Sequence, residues 1–169
     1  IDYAIADRIV IPDEERQYFS ERLIYVPRTY LPTDDRRQVA AIPDREEAGL
    51  PSGAFVFCAF HNSYKIGPEE FDIWMRMLRA VDGAILWLLR TSDEAERNLR
   101  AEAAARGVAP DRLIFAPPLP QAEHLARQHH ADLFVDCFDY NAHTTASDAL
   151  WMGVPVVTRS GRTFASRVA

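Results

Sequence analysis

The sequence predicts an α/β fold: a parallel sheet with helices on both faces. Two observations predict it. Five short segments, Ala54–Phe60, Ala84–Leu89, Arg112–Phe115, Ala131–Val135 and Val154–Val157, are continuously apolar rather than alternating. That is the pattern of strands buried on both sides. Helical stretches separate most of them, and a strand–helix–strand rhythm gives parallel pairing with right-handed crossovers. The loops leaving these strands add a third observation. His61–Lys65, Pro117–His124 and Asn141–Asp148 are polar and fall at strand carboxyl ends, where such sheets bind ligands.

In chain order, Ile1–Ala6 reads as a short strand. Pro12-Asp13-Glu14-Glu15 opens a helix to about Glu21, with proline in its first turn and acids complementing the dipole. Leu23–Val26 is a second short strand, closed by Pro27. Leu31–Gly53 is rich in Pro, Asp and Arg without a clear period, and reads as linker or surface loop. Next come the strand Ala54–Phe60, the loop His61–Gly67 and a helix over Pro68–Val81. Phe71, Trp74, Met75 and Leu78 stand at helical spacing along it. The strand Ala84–Leu89 leads to a helix over Asp93–Arg106, capped near Ser92 and stopped by Gly107. After Arg112–Phe115 a proline loop precedes the helix Gln121–His129. The strand Ala131–Val135 and the helix from Thr144 follow; Gly153 ends that helix before Val154–Val157, and Thr163 begins a last helix.

The chain has 169 residues, 48% of them hydrophobic and 26% charged, enough for a real core. Its net charge of −6 argues against a general nucleic-acid or membrane-surface role. No apolar run approaches a membrane span, and there is no signal peptide. Cys58 and Cys137 each abut a predicted strand and read as buried free thiols in a reducing, cytoplasmic setting. The five histidines show no metal spacing, and no metal or other cofactor is expected. There is no G-x-G-x-x-G, Walker A, Ser-His-Asp spacing or clear carboxylate pair. The chain starts on an apolar segment without methionine and stops inside a helical pattern, so it reads as a piece truncated at both ends.

The stretch Asp136–Thr158 carries the strongest chemical signal. Asn141-Ala142-His143-Thr144-Thr145 forms a turn between a strand end and a helix start. The first N–H groups of a helix are unpaired and sit at its positive end, so hydroxyls there prepare a phosphate site. Asp148, one turn further in, is placed to bind a hydroxyl beside that phosphate. The plainer alternative is that Thr144 or Thr145 is only an N-cap. Lys65, the single lysine among 19 Lys plus Arg, offers a compact ammonium to a diphosphate, or is an exposed loop lysine. In the proline loop, main-chain groups are placed to read a base and His124 to pack on a sugar or ring; the alternative is a stiffened surface loop. Trp74, Trp87 and Trp151 read as core. Asp136 reads as capping a strand end rather than as a base.

Several ordered motifs resemble the C-terminal catalytic half of the O-linked N-acetylglucosamine transferases and SPINDLY-like glycosyltransferases. They are FHNSYKI from Phe60 to Ile66, ILWLLR from Ile85 to Arg90, RLIFAP from Arg112 to Pro117, and Glu123-His124. Asn141-Ala142-His143-Thr144-Thr145 with Asp148, Leu150-Trp151, Gly153 and Pro155 is the most specific, and Ala165–Ala169 also fits. The match covers nearly all of 54–169. Residues 1–35 resemble the end of the preceding catalytic domain through Asp2-Tyr3, Asp7, Tyr18, Ser20-Glu21 and Pro27, which leaves 36–53 as a linker.

The resemblance implies a Rossmann-like nucleotide-sugar domain, the C-terminal half of a GT-B glycosyltransferase. It implies a metal-independent, inverting transfer of N-acetylglucosamine from UDP-GlcNAc to protein Ser or Thr. Residue by residue, Lys65 contacts the diphosphate and stabilises the leaving group. His143, Thr144 and Thr145 hold phosphate, and Asp148 holds the ribose. His124 lies beside the nucleoside, with the Leu119 backbone and Arg127 near the uracil. Asn62 and Gln121 stand where animal relatives have a glutamine and a ribose-contacting lysine. Relatives also use GDP-fucose or transfer glucose, so those donors are the alternatives, as is a non-catalytic protein-interaction homologue. The family's tetratricopeptide repeats and acceptor-side histidines lie outside this stretch, so the 169-residue piece alone is expected to be inactive.

Overall fold

The computed structural model describes residues 1–169. Its main sheet has five strands: β3 (Val56–Ala59), β4 (Ile85–Leu89), β5 (Leu113–Ala116), β6 (Leu133–Val135) and β7 (Val156–Val157). They lie in the order β5-β4-β3-β6-β7, every pair parallel. The helices are α1 (Pro68–Ala80), α2 (Asp93–Ala105), α3 (Gln121–Gln128) and α4 (Thr144–Trp151).

The continuous apolar runs are explained by two cores, one on each face. Phe57, Leu86, Leu88 and Val135 face Phe71, Trp74, Met75 and Leu78 of α1. Val56, Cys58, Ile85, Trp87 and Phe134 share the other core with Ala146 and Ala149 of α4. Local signals set the helix ends. Ser92 Oγ accepts from Ala95 N at 3.1 Å, and Gly153 follows α4 at φ 77°, a left-handed conformation that glycine adopts without strain.

The first 30 residues form a small layer with its own two-stranded sheet, packed against Phe164 and Val168 near the C-terminus. β1 (Tyr3–Ala6) and β2 (Arg22–Tyr25) pair in parallel. The predicted helix between them is a 3₁₀ segment, Asp13–Tyr18, because it buries no residue and so lacks the apolar stripe that sustains an α-helix. The predicted last helix is likewise one 3₁₀ turn, Phe164–Ser166, in which Ser166 Oγ takes the N–H of Thr163 at 3.1 Å.

Segment 36–53 carries no helix or strand, but it is pinned to the domain. Ala40 N donates to Ala122 O at 3.1 Å, His130 Nε2 bonds Pro43 O at 2.7 Å, and Leu50 is buried in the second core. It runs as a strap from the start of α3, at Ala122, past its end at His130 to the amino end of β6, where Arg45 lies 3.9 Å from Asp132.

Candidate active site at the strand carboxyl ends

Strand order reverses between β3 and β6, and a crevice at such a switch point is where open parallel sheets bind ligands. The loops leaving these two strands meet there. His61, directly after β3, is buried, and its Nε2 donates to Val135 O of β6 at 3.2 Å. Burial lowers its pKa more than the nearby Asp136 raises it, so the ring is neutral.

Asp136 organises the second loop. Its Oδ1 accepts from Cys137 N at 2.8 Å and Ala142 N at 2.7 Å, and its Oδ2 accepts from Thr158 Oγ1 at 2.6 Å. With both oxygens engaged, it works as an anchor for the turn, in line with its reading as a strand-end cap. Asn141, fully buried, adds a bond from Nδ2 to Cys137 O at 2.8 Å.

The turn places His143 at the N-cap of α4, with Thr144 and Thr145 as its first residues. The N-cap alternative fails, because no side chain caps the helix. Neither threonine hydroxyl is bonded within the protein, and both stand beside unpaired helix N–H groups. His143 stacks on Tyr140 with centroids 4.8 Å apart. Its pKa is lowered chiefly by burial, partly opposed by the Ala165 carbonyl.

Lys65 ends a 3₁₀ turn that begins after Asn62. Its Nζ has no carboxylate partner and lies 3.8 Å from the centroid of the Tyr140 ring. Burial lowers its pKa, opposed by Cys137 and Asp136. Through Tyr140 the ammonium and the His-Thr-Thr turn share one wall. The Asn62 side chain is exposed at the rim and unbonded.

The β5–α3 loop supplies the other wall. Leu119 stands between two prolines, and neither its N–H nor its C=O is bonded within the protein. It borders a cavity of about 390 Å³, closed by Trp87, Pro117 and Arg127 on one side and Ile42 and Ala48 of the strap on the other. Arg127 is buried beneath this loop. It donates to Pro117 O at 2.5 Å and to His124 Nδ1 at 2.7 Å, and its guanidinium lies 4.8 Å over Phe60. Its Nε and Trp87 Nε1 are buried donors without partners.

Because Arg127 donates to His124 Nδ1, the imidazole proton resides on Nε2. Burial, reinforced by the Arg127 charge, pushes the His124 pKa down to about 4. NMR should therefore find His124 titrating near 4 as the Nε2–H tautomer; titration near the ordinary 6.5 would contradict the Arg127 contact. Between 6.5 and 4 the unfolded chain takes up this proton first, so this contribution to stability is lost as pH falls through that window.

Gln121 opens α3 and, with Thr144 and Arg37, lines a small cavity of about 120 Å³ that joins the two walls. Asp148 is buried one turn into α4, and its Oδ1 is paired with Arg37 of the strap. Two residues depart from expectation. Trp151, read as core, is 41% exposed and carries the Arg37 guanidinium 4.8 Å over its ring. Arg37 itself carried no signal in the sequence, because its pairing with Asp148 spans 111 residues. Trp74 and Trp87 are buried as read, and both cysteines are buried and free.

Residues 34–169 match the sequence pattern of glycosyl transferase family 41. The chain belongs to glycosyl transferase family 41. Among its relatives, a probable UDP-N-acetylglucosamine–peptide N-acetylglucosaminyltransferase of Arabidopsis thaliana is 37% identical over 100% of this chain and 18% of its own length. The Caenorhabditis elegans UDP-N-acetylglucosamine–peptide N-acetylglucosaminyltransferase is 40% identical over 76% of this chain and 11% of its own. A solved lysine-to-methionine mutant of the Thermobaculum terrenum O-GlcNAc transferase superposes with a TM-score of 0.82 at 32% identity, covering 99% of this chain and 32% of that one. The chain thus spans a fifth or less of the length of these curated relatives. The sheet is a Rossmann-like portion of the GT-B architecture. No helix is long and apolar enough to cross a membrane.

Proposed function

We propose that this crevice holds the donor of a protein O-GlcNAc transferase, UDP-N-acetylglucosamine, and stabilises UDP as it leaves. The observation that carries the reading is the pairing of an uncompensated ammonium, Lys65, with two unbonded hydroxyls at a helix N-terminus, Thr144 and Thr145. Packing requires neither. Both are what a diphosphate binds: positive charge, free N–H groups and hydroxyl donors.

The remaining groups take places along the nucleotide. Asp148 accepts from ribose hydroxyls. The free N–H and C=O of Leu119 offer the adjacent donor and acceptor that a uracil edge complements, and the cavity beside it takes the ring. His124 presents Nε2–H to the nucleoside, held by Arg127 from below. Arg127 therefore acts on the base through Pro117 and His124. Asn62 and Gln121 border the sugar and ribose ends. In the transfer, the Ser or Thr oxygen of a protein acceptor bonds to the anomeric carbon as the bond to the β-phosphate oxygen breaks. The electron pair leaves with UDP, and the acceptor proton passes to a base outside this crevice. No metal is invoked, since the charge on UDP is met by Lys65 and the α4 terminus. The two buried free thiols suit a reducing compartment, the cytoplasm.

The test is donor choice in the full-length protein. UDP-GlcNAc should be transferred to a Ser/Thr acceptor and competed by UDP, while GDP-fucose and UDP-glucose give little product. Preferred transfer from GDP-fucose or UDP-glucose would assign another donor, and nucleotide binding without any transfer would make the protein a binding module. Asp148→Asn should weaken UDP about tenfold, the scale of one charge-assisted hydrogen bond. Unchanged UDP affinity in that variant would remove Asp148 from the ribose.

A further inference from the structure

Arg37 lies in a segment without regular structure, yet its side chain is only 8% exposed, as is that of Asp148. Each nitrogen of its guanidinium is engaged. Nη1 binds Asp148 Oδ1, Nη2 donates to Ser147 O at 3.4 Å, Nε donates to Asp34 O at 3.2 Å, and the plane lies over Trp151. Asp148 Oδ2, by contrast, accepts no hydrogen bond from the protein and is not sealed from solvent. Arg37 also borders the small cavity between Gln121 and Thr144, so the arginine that holds Asp148 stands at the edge of the proposed nucleotide crevice.

We infer that Arg37 is a positioning residue for ribose recognition: it occupies Oδ1 of Asp148 and so aims the free Oδ2 at the sugar hydroxyls. This rests on the reading of Asp148 as the ribose-binding carboxylate. The physical need is clear from burial. Desolvation raises the Asp148 pKa, and Arg37 is the group that opposes it. Without that charge the buried carboxyl would favour its proton and lose both its fixed rotamer and its strength as an acceptor. The strap is thereby part of the donor site, and its arginine reaches the ribose through Asp148.

The experiment compares UDP with 2′-deoxy-UDP and 3′-deoxy-UDP, with inorganic pyrophosphate as a probe of the phosphate end alone. In the wild-type protein, removing the recognised hydroxyl should weaken binding about tenfold or more. In Arg37→Met the penalty should shrink to about threefold or less while pyrophosphate affinity stays unchanged. The deoxy penalty, which cancels the ionisation of UDP itself, should set in at higher pH in Arg37→Met than in the wild type, because Asp148 then ionises later. Arg37→Lys, which keeps the charge but loses the planar fork and the stacking, carries the test if Arg37→Met does not fold: a reduced penalty with intact pyrophosphate binding supports the inference. A full deoxy penalty in Arg37→Met overturns it. So does tighter UDP binding, which would make Arg37 an obstruction. A wild-type protein with no deoxy penalty would instead sink the ribose role of Asp148 itself.

Discussion

Replacing Lys65 with alanine is expected to lower kcat for the proposed transfer, measured in the full-length protein, by about 10² or more, the scale on which loss of one preorganised donor acts. When the glycosidic bond breaks, negative charge grows on the β-phosphate. A fixed ammonium binds that charge more strongly in the transition state than in the ground state, and only such differential binding raises the rate. Lys65 is preorganised for this. It has no carboxylate partner to give up, and it stands against the Tyr140 ring rather than in bulk water. His143, with its pKa lowered by burial, does not supply a second charge. UDP affinity should fall less than kcat in Lys65→Ala. Thr145→Ala should be milder on both counts, because the α4 N–H groups remain. Steady-state kinetics beside UDP titration check this. Equal losses in affinity and kcat/KM, with kcat unchanged, would mean that Lys65 only binds.

The largest effect on stability is expected at Asp136. Its carboxylate is buried and satisfies three donors at once: Cys137 N, Ala142 N and Thr158 Oγ1. Asp136→Ala leaves all three without a partner, each at about 1–3 kcal/mol. The unfolding free energy should fall by about 3 kcal/mol or more, and UDP affinity with it, because the turn before His143 loses its anchor. Asp136→Asn keeps the shape and an acceptor oxygen and should lose less. Denaturant melts of both variants decide the point. An Asp136→Ala protein within about 1 kcal/mol of the wild type would mean that other contacts hold the turn.

The sheet was legible in the sequence because burial on both faces leaves a plain mark. Phe57 and Val56 enter opposite cores, so no polar residue interrupts the run. The turn proposed to hold phosphate was legible for a local reason: a strand end, two threonines and a helix start lie within a few residues of one another. Asp136 was visible for the same reason, as the last residue before a turn. The strap was not. Its residues have no period because it packs through single contacts, such as His130 with Pro43 and Arg37 with Asp148, made to partners far along the chain. Trp151 was misread for a related reason: α4 buries Ala146 and Ala149, and the aromatic ring stays outside under a guanidinium that only the fold delivers. Tyr140 escaped as well, since nothing local marks a loop tyrosine as the bridge between Lys65 and His143. The helix expected after Pro12 had good end signals but no apolar face, and end signals alone do not hold an α-helix.

If the three loops at one end of the sheet form a single UDP site, the structure of the UDP complex should show the diphosphate between Lys65 Nζ and the Thr144–Thr145 turn, a ribose hydroxyl on Asp148 Oδ2, and the uracil edge on the main chain of Leu119 in the cavity beneath the strap. Nucleotide bound elsewhere on the molecule, or in this crevice with its phosphates away from Lys65 and the α4 terminus, would contradict it.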